Sequence, residues 1–89
     1  MPRFFIDTDD GNSFILDEDG ADFQDLAGAE DEAMRSLPEM AQSRYPARDW
    51  REISAMVRDE AGAMRFRASL ALNVERVRVD RALADVAAA

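Results

Sequence analysis

The chain has 89 residues, with 19 acidic and 11 basic side chains, a formal net charge of -8, and neither cysteine nor histidine; lysine is absent as well, so every cationic side chain is an arginine. That inventory excludes a thiol nucleophile, an imidazole base, a Schiff-base lysine, a Cys/His zinc site and any disulfide. The length fits one small domain near the lower limit for a self-sufficient core, and 47% hydrophobic with 34% charged residues fits a folded chain better than a disordered one.

In chain order, Phe4-Phe5-Ile6 and Phe14-Ile15-Leu16 flank Asp9-Asp10-Gly11-Asn12. Asp-Gly between apolar runs signals a hairpin, because glycine accepts the positive φ of a primed turn. The expected strands are 3–8 and 13–17, and the acidic turn Asp17-Glu18-Asp19-Gly20 closes the pair. The opening apolar run is too short for a signal peptide or a membrane span, which makes the expected location cytoplasmic with no membrane partner.

A helix follows over 25–44. Asp25 is its candidate N-cap, and Leu26, Ala29, Ala33, Leu37 and Ala41 recur at helical spacing. Pro38 removes a backbone hydrogen bond there, and Ser36-Leu37-Pro38-Glu39 also reads as a fresh capping box. A kinked helix and two short helices both satisfy this; the continuous apolar stripe favours the kink. Tyr45 to Trp50 reads as a proline-containing loop.

Period two then returns. Ile53, Ala55 and Val57 alternate with Ser54, Met56 and Arg58 up to a turn at Asp59-Glu60-Ala61-Gly62-Ala63. From Met64 the alternation is the cleanest in the chain: Met64, Phe66, Ala68, Leu70, Leu72 and Val74 on one face, Arg65, Arg67, Ser69, Ala71, Asn73 and Glu75 on the other. The parity slips afterwards, so a bulge or strand end is expected near Glu75. The domain is read as 1–79, and 80–89 as an alanine-rich tail, weakly ordered or docked.

The expected fold is therefore α+β, ββαββ: a four-stranded antiparallel sheet with one helix on one face. One helix leaves the second face open, and that face would carry Phe5, Ile15, Met56, Arg58, Arg65 and Arg67. Apolar and arginine side chains mixed in this way suit a protein-binding or dimerisation surface. The long strand 64–75 is a hazard at an open edge, which its charges blunt and which a central position or a dimer axis would remove.

The charge is also divided. Residues 1–32 hold 11 acidic groups and one arginine, whereas 33–89 hold 8 acidic groups and 10 arginines. The net charges of -10 and +2 argue against a nucleic-acid surface on the first part and favour an acidic protein partner, including a second copy, for the arginines. Asp7, Asp9 and Glu18 hold the first, third and twelfth places of an EF-hand-like loop. Gly11 removes the ligand at the fifth place, and Asn12 occupies the place of the glycine turn. Two acidic β-turns account for the same residues. Paired carboxylates such as Asp17 with Asp19, or Glu30 with Glu32, lack an enclosing cleft in so small a domain, and Tyr45 and the serines lack an activating base. The residues therefore point to no enzyme and no cofactor.

Met1-Pro2-Arg3-Phe4-Phe5, Asp17-Glu18-Asp19-Gly20, Asp25-Leu26-Ala27-Gly28-Ala29, and Val57-Arg58-Asp59 with Gly62 before the alternating strand resemble, in order, the pattern of an uncharacterised family of small bacterial proteins. The resemblance covers about residues 1–75, with Pro38 and the tail departing from it, and implies no activity, catalytic residue or cofactor. The hairpin followed by Asp-Leu-x-x-Ala is also similar, more distantly, to HicB-type antitoxins. That likeness implies inhibition of a small toxic ribonuclease, without a helix-turn-helix segment in the tail. The best-supported function is a protein-interaction domain, self-associating through the open face, with antitoxin-like inhibition and cation binding by the acidic turns as alternatives.

Overall fold

The computed structural model describes residues 1–43, 50–75 and 77. Its elements are β1 (Arg3–Asp9), β2 (Phe14–Ile15), β3 (Ala21–Asp22), α1 (Leu26–Ser43), β4 (Trp50–Arg58) and β5 (Met64–Asn73). All pairings are antiparallel, in the order β2-β1-β4-β5, with β3 also on β1. The α+β expectation holds, with a sheet of five strands rather than four. What was expected as one strand over 13–17 is the two-residue β2, and β3 resumes pairing with β1 after an interruption.

The turns follow from side-chain caps. Asp10 Oδ1 accepts the N–H groups of Asn12 and Ser13 at 2.9 and 2.8 Å, and Gly11 sits at φ 88°. Asp59 Oδ1 likewise accepts from Ala61 and Ala63 at 3.0 and 2.9 Å between β4 and β5. These are the local bonds by which aspartate favours turns over continued strand.

Asp25 caps α1, its Oδ1 accepting the Gly28 N–H at 2.9 Å. The helix runs unbroken through Pro38, which is exposed, so the two-helix alternative falls. A solvent-facing pyrrolidine costs one backbone bond but leaves the buried stripe of Ala29, Ala33 and Leu37 intact. Those residues pack on Phe4, Ile53, Ala55 and Val57 to form the core. The alanines at 29, 33 and 55 allow close approach of helix and sheet. Ile53 and Val57 are fully buried, each contributing about 1.5–3 kcal/mol through desolvation.

Partner registers define the two faces. Ile6↔Val57↔Phe66 and Thr8↔Ala55↔Ala68 lie on the helix side; Asp7↔Met56↔Arg67 and Asp9↔Ser54↔Ser69 lie on the open side. The register shifts between Val57 and Arg58, so that Arg58 faces Met64. Continued in phase, Arg58 would oppose Arg65; the bulge removes that like-charge pair. β5 ends at Asn73, two residues before the bulge or strand end expected near Glu75. The tail 80–89 and most of the loop from Tyr45 lie outside the described residues.

Candidate functional site

The open face divides into two parts with different chemistry. On the β1 side, Arg58 stands opposite Phe5 and diagonal to Asp7. Its guanidinium lies 4.9 Å from the Phe5 ring centroid, a stacking distance. It grips the Asp7 carboxylate with both arms, Nε to Oδ2 at 2.6 Å and Nη2 to Oδ1 at 3.1 Å, and Nη2 donates also to the Asp17 carbonyl at 3.0 Å. Asp7 is only 3% exposed. Burial alone would push its carboxyl up, but the Arg58 hydrogen bond, the Asp17 N–H and the Arg58 charge hold it below its ordinary value.

Asp17 completes this cluster. It sits where the pairing of β1 is interrupted between β2 and β3, and its carboxylate takes the place of the missing strand. Oδ2 accepts the Ile6 N–H at 3.0 Å, Oδ1 accepts the Gly20 N–H at 3.0 Å, and the Asp17 N–H donates to Asp7 at 2.9 Å. Gly20 is forced by geometry, with φ 69° and an added Cβ falling 2.9 Å from the Phe4 carbonyl oxygen.

On the β4–β5 side the groups are exposed. Arg65 meets Asp59 at 3.3 Å, and Arg67 meets Glu52 at 3.0 Å; both arginine side chains retain 48% exposure. Met56 lies between them and β1. Trp50, paired with Asn73, is on this same face and 52% exposed. It borders a shallow hollow of about 290 Å³ with Asp9, Glu52, Ser54 and Arg67.

The open face brings together Phe5, Met56, Arg58 and Arg67, with Arg65 at the bulge beside Asp59, and gives them unequal roles: Phe5 and Arg58 are engaged within the domain. Ile15 does not belong with them. It pairs with Thr8, which places it on the helix side, and Phe14, opposite Asp9, takes the open side. Sequence reading missed Trp50 and the ladder-filling role of Asp17. Trp50 was legible in principle, because extending the phase of Glu52, Ser54 and Met56 back by two residues reaches it.

Of the cation candidates, Asp7 is committed to Arg58, Asp9 accepts the Gly11 N–H at 2.9 Å, and Glu18 is exposed. The described residues contain no cluster of three or more carboxylates able to hold a metal. Among them, no helix is long and apolar enough to cross a membrane.

No curated protein and no solved structure matches the chain. The expectation of an uncharacterised family is met by a family-model match over residues 3–71. That span takes in every strand up to most of β5 together with the whole of α1. The chain belongs to the family defined by a domain of unknown function, DUF6894.

Proposed function

We propose that this chain is a non-enzymatic protein-interaction domain. Its working surface is the β4–β5 part of the open face: Met56, Arg65, Arg67 and Trp50. The ligand is an acidic protein surface, and the first third of a second copy, with its net charge of -10, meets that description. The observation that carries the reading is Trp50, half-exposed on a sheet face beside Arg67 and a shallow hollow. Tryptophan and arginine at the centre of a patch are the residues that most often dominate protein–protein binding energy. The ion pairs made by Arg65 and Arg67 are solvated, so exchanging their carboxylates for a partner's costs little.

The test compares proteins retained by the wild-type domain with those retained by the double variant Arg65→Ala, Arg67→Ala. Any retained protein is then purified and titrated while the emission of Trp50, the chain's single tryptophan, is followed. Loss of retention in the variant, with a blue shift for the wild type on titration, is the expected result. Equal retention by both, or emission unchanged at saturation, overturns the face as the binding surface.

A further inference from the structure

Among the described residues β5 is hydrogen-bonded on one side only, to β4, and past the bulge at Arg65 it presents a regular edge from Phe66 to Asn73. Natural sheets seldom leave such an edge bare. Leu70 and Met64 on β5 are 39% and 59% exposed, apolar positions that α1 does not cover.

The strand is complementary to itself. From Phe66 to Asn73, odd residues carry the open face and even residues the helix-side one. An antiparallel partner must therefore pair odd with odd, and every register offset by one residue is excluded. Centred on Ala68, Arg67 would fall diagonal to the second copy's Arg67. Centred on Leu70, the pairing would run past Asn73, beyond the end of β5. Centred on Ser69, Phe66 meets Leu72, Ala68 meets Leu70 and Arg67 meets Ala71, all within the regular part of the strand.

We propose that two copies join edge to edge through β5, antiparallel and centred on Ser69, making one continuous sheet with both helices on the same side. This concerns the edge, not the face, and stands apart from the binding of a partner across Trp50. It also sets the two open faces side by side as one broad surface.

The chain lacks cysteine, which makes the register directly testable. At about 100 µM, light scattering should give twice the 10.0 kDa chain mass. Under mild oxidation Ser69→Cys should form a disulfide-linked dimer, its two thiols meeting on the axis, whereas Asn73→Cys should not. Ala71→Arg sets like charges against Arg67 twice per dimer and should weaken association roughly tenfold; Ala71→Glu should tighten it. Within one chain Ala71 faces Glu52, so the two variants should affect fold stability in the opposite order, and an indirect effect through unfolding is separable.

A mass of one chain overturns the proposal, as does protection from exchange, in a monomer, of the β5 amides that point away from β4, which would mean that the chain covers its own edge. A doubled mass without a Ser69→Cys link, or with equal linking by Asn73→Cys, also overturns it while leaving the face reading in place.

Discussion

The two margins of the sheet solve the same problem in opposite ways. On the β1 side the outer strands are two residues each, separated by an interruption in which the Asp17 carboxylate accepts the Ile6 N–H. Short strands, an inserted acid and a buried Asp7–Arg58 pair leave no continuous ladder for another chain to extend. On the β5 side the strand runs regularly from Phe66 to Asn73, and the charges beside it form largely solvated pairs. The acidic residues of the first third are thus partly structural: Asp7, Asp9, Asp10 and Asp17 all accept backbone N–H groups. What reads in the sequence as one charge imbalance is a sealed margin and an open one.

If that contrast is right, the sealed side should tolerate substitution poorly. Asp7→Ala removes the partner of a half-buried guanidinium and the acceptor of the Asp17 N–H, and should cost about 3 kcal/mol. In a domain of this size the melting temperature should then fall by more than about 12 °C. The pH dependence gives an independent check. Because the folded-state pKa of Asp7 is depressed, its contribution is complete above the ordinary value of 3.8 and is lost as pH falls through that value toward the lower folded one. The stability gap between wild type and Asp7→Ala should therefore narrow on acidification below about pH 4. Asp59, also depressed by its backbone N–H bonds and by Arg65, should keep some acid sensitivity in the variant. A gap independent of pH would mean that Asp7 acts through packing alone.

Asp17→Ala should come next, at about 2 kcal/mol, since it strips acceptors from the Ile6 and Gly20 N–H groups at a site that water can partly reach. Its local signature is faster amide exchange at Ile6 and Gly20 with the β4–β5 ladder unaffected. Uniform loss of protection would show that the interruption is not a local patch.

The alternation of β4 and β5 was readable because half-burial imposes period two: Ile53, Ala55 and Val57 are inside, as their spacing says. The Asp25 cap and the α1 stripe were readable for the same local reason. Asp17 was not, because its role depends on where β2 ends, and nothing in Phe14-Ile15-Leu16 marks the stop at Ile15. All three of those side chains are more than half exposed, so burial never enforced a pattern on them. Residue type could place Arg58, Arg65 and Arg67 on one face but could not separate them. Which carboxylate each arginine meets is set by the bulge after Val57 and by the crossing of Asp17 over β1, both tertiary outcomes.

The smallest effect tests the open side most sharply. Arg67 and Glu52 touch at 3.0 Å, a shorter contact than some bonds on the sealed side, and distance alone would rank it high. Solvation decides otherwise. The two side chains are 48% and 42% exposed, so each is well hydrated when apart, and the attraction gained is offset by the rotamer freedom lost. Arg67→Ala should therefore shift the unfolding free energy by no more than about 0.5 kcal/mol, and added salt should shrink even that. Measured by denaturant titration of a dilute sample, a loss as large as that of Asp17→Ala would mean that Arg67 holds the fold together as Arg58 does. The β5 side would then be a second sealed margin, and its arginines would not be available to a partner.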